Sequence, residues 1–262
     1  MLSMNQQSEY AVSPDEVLRS ALDIGEHLLR NGAEIHRVED TISRICNAFG
    51  AKHVEVFSIT SVIIVSMQTP DGSYCQQMRR VYKTTHNLFM VEELNRLSRE
   101  LCDGTLPLSD LPAAIASVKN KRPYPEWIYY FGAMCATAGF SVFFGGTLWD
   151  ALGAALVALP ITFVDRCAPR FLNQMVLTAL NSFCAGALAL LLYRLGLGDN
   201  IDKIMIGTIM ILIPGLALTN AVRDMMIGDI LSGMLRLLQS VLLALMIAFG
   251  FAAAMFLIGG VL

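Results

Sequence analysis

Charge is spread along this chain in a way few folds tolerate. Of its 19 Lys and Arg and 22 Asp and Glu residues, residues 127–262 hold only six basic and six acidic ones. The first 126 residues carry the rest and can fold in water. The remainder is apolar enough to need lipid or a very large protein cover, and a break in composition of this kind marks a domain boundary. The chain therefore reads as a mainly α membrane protein. A soluble α+β domain over residues 1–122 precedes a transmembrane helical domain over 123–262. A net charge of −3 gives no reason to expect nucleic-acid binding.

A crossing helix needs about 20 mainly apolar residues. Five segments qualify, near 127–146, 148–164, 174–193, 203–221 and 237–261, which predicts a five-helix bundle. Trp127, Tyr129 and Tyr130 form an interfacial belt on the first. Gly132, Ala136 and Gly139 on it, and Gly153 and Ala154 on the second, are small residues that suit close packing in lipid. Lys119, Lys121 and Arg122 precede the first span, and Arg166, Arg170, Arg223 and Arg236 follow on the same side. Arg194 and Lys203 run against this pattern. The positive-inside rule then puts the amino terminus in the cytoplasm. An odd number of spans puts the carboxyl end outside. Residues 1–16 lack the basic start and apolar run of a signal peptide.

In the soluble part, Ser13-Pro14-Asp15-Glu16 predicts a capped helix start ending at Asn31-Gly32, with a second helix over 33–49. Val- and Ile-rich stretches at 53–58 and 61–67 and a turn at Thr69-Pro70-Asp71-Gly72 predict strands, with 73–81 as the third. Helices over 85–102 and 109–119 complete an ααβββαα order. His27, His36, His53 and His86 are scattered and no H-E-x-x-H is present, so neither metal nor cofactor is expected. Glu34, Arg37, Glu39 and Asp40 read as an ion-paired helix face. The cysteines read as free thiols.

The segment with most chemistry runs from Ile211 to Asp224. Pro214-Gly215 in mid-span breaks the helical ladder, and freed peptide groups persist in a membrane where they face protein or a wet cavity. Such breaks are where many transporters bind solutes. Thr219, Asn220, Arg223 and Asp224 follow within one and a half turns. An Arg can fork onto a carboxylate and an Asp can take a proton or an ammonium group. Asn181 with Ser182 is the other polar pair inside a span. The expected substrate-binding set is Pro214, Gly215, Thr219, Asn220, Arg223, Asp224 and Asn181, with no catalytic residue.

Gly32-Ala33-Glu34 with Arg37-Val38-Glu39-Asp40 resembles the amino-terminal signature of the threonine/serine exporter (ThrE-like) family. Ile213-Pro214-Gly215-Leu216, Thr219-Asn220-Ala221, Arg223-Asp224, Gly228-Asp229 and Ser232-Gly233 resemble its membrane signature. The resemblance covers about residues 15–260. It implies a bacterial inner-membrane secondary transporter, not an enzyme, exporting a small carboxylate-bearing solute: an amino acid of the threonine or serine type, or a dicarboxylate such as succinate. A short form like this one resembles the large subunit of a two-component exporter, which implies a second membrane subunit. Two other functions stay open at this point: a membrane-anchored enzyme with its chemistry in residues 15–120, and a regulatory or scaffold subunit. Assembly as an oligomer is compatible with each.

Overall fold

Helix α1 (Pro14–Arg30) starts where Pro14 supplies a preset φ at the first helical position. Ser13 caps it only through its carbonyl, which accepts from Glu16 N and Val17 N, so the capping box suggested by Ser13 and Glu16 does not form. The helix stops at a Schellman turn: Ala33 N donates to Leu28 O and Gly32 N to Leu29 O. Gly32 sits at φ +90°. A Cβ there would lie 2.7 Å from Nδ1 of His86 and 3.0 Å from Thr85 O, so only glycine fits.

Helix α2 (Ile35–Ala48) buries Ile35, Val38, Ile42 and Ile45 in one stripe. Strands β1 (His53–Ile59), β2 (Val62–Gln68) and β3 (Tyr74–Arg80) form an antiparallel sheet in the order β1-β2-β3. Ile59 pairs with Val62 across a two-residue loop. The second turn closes with Gly72 N donating to Thr69 O and Thr69 N to Ser73 O. Strand β2 alternates, with Ile63, Val65 and Met67 inward. Helix α3 (Leu88–Cys102), capped by the Asn87 side chain, and helix α4 (Leu111–Asn120) complete the order expected from the sequence. Their buried Leu94, Leu97, Leu101, Leu111, Ile115 and Val118 join Leu18, Leu22, Leu28, Leu29 and the α2 stripe in one core.

The remaining helices are α5 (Glu126–Phe143), α6 (Leu148–Cys167), α7 (Gln174–Arg194), α8 (Ile201–Leu212), α9 (Gly215–Ile227) and α10 (Ile230–Ala254), with a π turn over Met255–Gly259. This computed structural model describes residues 13–82, 84–121, 124–167 and 173–259. Arg122, Pro123 and Arg170, which enter the orientation argument and the domain boundary, lie outside the described residues. Contacts divide the chain into two units, one of residues 1–121 with 216–237 and one of 122–215 with 238–262.

Among the described residues, three helices are long and apolar enough to cross a membrane: α6, α7, and α10 with its π turn. There are four if the interrupted pair α8 and α9 is one span. The expected five-helix transmembrane bundle is therefore corrected to three or four. Helix α5 has 18 residues and begins on Glu126, with Trp127, Tyr129 and Tyr130 in its first turns. That leaves it too polar for its length, and the argument from an odd span count goes with it. The molecule is mainly α, with a small β-containing amino-terminal domain and several membrane-length helices.

In the second unit, Ala154, Val157, Ile161, Ala185, Ala189, Leu190, Ile204, Met205, Ile247 and Phe251 form the core. Helix α5 turns Ala133, Thr137 and Ser141 inward, and Gly132 and Gly139 outward with nothing within 4 Å of a would-be Cβ. The close approach to α5 comes instead from Gly207, where a Cβ would lie 2.6 Å from Thr137 O, while Gly153 packs closely as expected, a Cβ there lying 3.0 Å from Leu197 O. Asp150 is fully buried and pins two loops. Its Oδ1 accepts from Asp199 N and Asn200 N, both at 2.7 Å, and its Oδ2 from Thr147 N at 2.9 Å and Asn200 Nδ2 at 3.0 Å.

Candidate functional site

The helical ladder breaks where the sequence predicts. Ile213 is pushed into extended conformation at the last step before Pro214, as a residue preceding proline is. Ile213 N still donates to Ile209 O at 3.1 Å, and Gly215 N reaches back to Ile213 O at 2.8 Å. Helix α9 restarts at Gly215, so its first-turn amides lie outside any helical ladder. Gly215 and Thr219 are both exposed.

Beyond Thr219 the polar residues turn to the amino-terminal domain, within the first unit. Helix α2 opens on Glu34 with no side-chain cap and no acidic residue in its first turn. The missing acceptor is Asp224, whose Oδ1 takes the Ile35 amide at 3.3 Å. A carboxylate at a helix amino terminus answers both the orphan amide and the helix dipole. Arg236 donates from Nη2 to Ala33 O at 2.7 Å and lies 3.4 Å from Asp224 Oδ2 through Nη1. That Oδ2 makes no hydrogen bond among the described residues, so its contact with Arg236 is an ion pair without hydrogen-bond geometry. Asn220 Nδ2 donates to Gly32 O at 3.0 Å, and Arg223 Nη1 meets Glu34 Oε1 at 2.7 Å. Four consecutive residues, Gly32 to Ile35, thus each use a polar group on α9 or α10.

Burial ranks these contacts. Asp224 is 0% and Arg236 9% exposed. The Glu34 side chain is 12% exposed and that of Arg223 59%, so this pair forms the outer edge. A second connection runs beside it. Glu39 Oε1 accepts from Ser58 N at 2.7 Å and Ser58 Oγ at 2.9 Å, and Ser232 Oγ donates to Ser58 O at 3.4 Å. Burial raises the Glu39 carboxyl above the usual carboxylate range, against the two Ser58 bonds, and Asp229 pushes the same way. His27 is lowered to about 4 by burial, helped by Lys119, Arg30 and Arg79. Burial also lowers His86.

The structure brings Asn220, Arg223 and Asp224 together and leaves Pro214, Gly215 and Thr219 on the break. Asn181 lies in the second unit, buried, with Nδ2 donating to Ile161 O at 3.4 Å and Oδ1 making no hydrogen bond among the described residues. Sequence reasoning missed Arg236, Ser58 and Asp150. For Arg236 and Asp150 the signal was an ionisable residue inside or beside an apolar run, which in a membrane protein asks for a partner. Ser58 carried no signal. Among the described residues no cluster of His, Cys, Asp and Glu could hold a metal ion.

An α+β amino-terminal domain together with several helices of membrane length defines a multi-pass membrane protein. The chain belongs to the ThrE family, described as "Putative threonine/serine exporter", whose model matches residues 19–258. It is thus a transport protein rather than an enzyme. It is 28% identical over 242 residues to the "Probable succinate transporter subunit YjjP" of Escherichia coli K12, covering 91% of this chain and 93% of that protein. The protein of the same name from Klebsiella aerogenes is 27% identical with the same coverage. A "Probable threonine/serine exporter" of Mycobacterium tuberculosis is 25% identical over 228 residues, or 85% of this chain and 42% of that protein. No solved structure matches.

Proposed function

We propose that this chain is one subunit of a secondary transporter that exports a small carboxylate-bearing metabolite, a dicarboxylate such as succinate or an amino acid of the threonine type. The observation that carries the reading is the interruption at Pro214 within a chain of this family. Relatives named as succinate transporter subunits match nearly end to end, which favours the dicarboxylate. The amides at the start of α9 offer an anion a partial positive charge. Pro214, Gly215 and Thr219 are the substrate-contacting set in this reading, with Asn181 as a further polar lining residue. Asn220, Arg223 and Asp224 hold the helix that carries them.

A second membrane subunit completes the path. The outward face of α5, with Gly132, Cys135 and Gly139 exposed, supports this, since small residues let a neighbouring helix approach closely. In this reading the amino-terminal domain faces the cytoplasm, which the basic Lys119 and Lys121 at its end favour. Proteoliposomes test the proposal. The full chain, purified with the membrane protein that accompanies it, should move labelled succinate or threonine down a gradient, and the two should compete. A preparation that binds and moves neither removes the carrier reading.

A further inference from the structure

The contacts at Gly32–Ile35 have a consequence for how a carrier built this way would move. Gly32 O, Ala33 O, the Glu34 carboxylate and the Ile35 amide are taken, in that order, by Asn220, Arg236, Arg223 and Asp224. Asp224 has no exposed surface and Arg236 almost none, so neither can meet a solute without the turn leaving. Separating them would strand a buried carboxylate without its guanidinium and leave the α2 amide without its cap, which is costly in a dry interior. The turn is fixed from its other side too, by Thr85 N on Arg30 O at 2.7 Å and Asn87 N on Asn31 O at 3.1 Å. Residues 216–237 pack with residues 1–121 as one unit, which is what such a set of bonds would produce.

We infer that Asn220, Arg223, Asp224 and Arg236 are positioning residues, which keep the helix after the break fastened to the Gly32–Ile35 turn throughout the transport cycle. The amino-terminal domain and the first turns of α9 then move as one body, and the domain's task is to carry that half-helix. The inference rests on the carrier reading above, and Arg236 is the residue it adds.

The test uses the full chain with its partner subunit. Arg236→Lys and Asn220→Ala should cut the maximal rate at least fivefold and leave the apparent KM for succinate within twofold. Arg223→Glu should also slow transport, and adding Glu34→Arg should recover at least half of the lost rate, because this pair is the outermost of the four contacts and Arg223 is exposed. In a chain with its six cysteines replaced, Glu34→Cys with Arg223→Cys bridged by a short reversible bis-thiol reagent should transport at the unbridged rate. A tenfold rise in KM at unchanged maximal rate would make these residues solute ligands and overturn the inference. Arrest on bridging, relieved by reductant, would overturn it as well, since the turn and helix would have to part. Failure of the unaltered protein to move succinate or threonine sinks the carrier reading instead. The thermal midpoint of the Glu34/Arg223 swap then decides whether the fastening exists: recovery relative to Arg223→Glu supports it, and no recovery overturns it.

Discussion

Asp224 and Arg236 illustrate how little a residue's type says about its task. Asp224 reads from sequence as a solute-binding group and Arg236 as a loop cation, yet each is buried against the turn after α1. Removing one member of a buried ion pair leaves the other uncompensated, so Arg236→Ala should lower stability by about 3–5 kcal/mol. Thermal unfolding in detergent would measure it, and a loss below about 1 kcal/mol would show the pair to be solvated. Gly32→Ala should cost at least about 1–2 kcal/mol for its left-handed φ alone, with contact at His86 and Thr85 added. His27 gives the pH dependence. Its folded pKa of about 4 lies below the ordinary 6.5, so between these values the unfolded chain binds more protons. Its contribution is complete above pH 6.5 and is lost as pH falls toward 4. The thermal midpoint should therefore drop between pH 7 and pH 4.5, and His27→Gln should flatten that drop. An unchanged slope would place the effect elsewhere.

At the scale of elements, α8 and α9 show a break written entirely in local sequence. Pro214 removes a donor and forces Ile213 out of the helix, and Gly215 restarts it. Pro214→Ala should let the ladder continue. The expected outcome is an equal or higher thermal midpoint with transport reduced at least tenfold, read by the same vesicle assay. Transport at the normal rate in a helix shown to be continuous would separate the break from function. Helix α2 presents the opposite case. Its start lacks any cap from its own neighbourhood, and Asp224, 189 residues away, provides it. The sequence predicts the helix over 33–49, but a local reading of residues 33–36 has no means of finding that partner.

For the molecule as a whole, the first unit is not a contiguous stretch, since it takes in residues 216–237. A fragment ending at Lys121 would keep the core of α1 to α4 but lose every partner of Gly32 O, Ala33 O and Glu34 on α9 and α10. It should unfold at a lower temperature and exchange the Ile35 amide faster than the full chain does. Joining residues 216–237 to it through a flexible linker should restore both. Equal amide protection in the bare fragment would mean that the turn holds itself.

What the sequence determined on its own follows from periodicity and chemistry that act over a few residues. The strand and helix order of the amino-terminal domain, the Gly32 stop, the Thr69–Gly72 turn and the break at Pro214 were all legible that way, and two short signatures marked the family. Length and polarity misled at the first expected span: Trp127, Tyr129 and Tyr130 read as its interfacial belt, but together with Glu126 they leave α5 too polar for its length. Only the tertiary structure decided what Glu34, Asn220, Arg223, Asp224 and Arg236 touch. A hydrogen bond or an ion pair depends on where two groups lie in space. Nothing local to residue 35 or to residue 224 encodes that one caps the other.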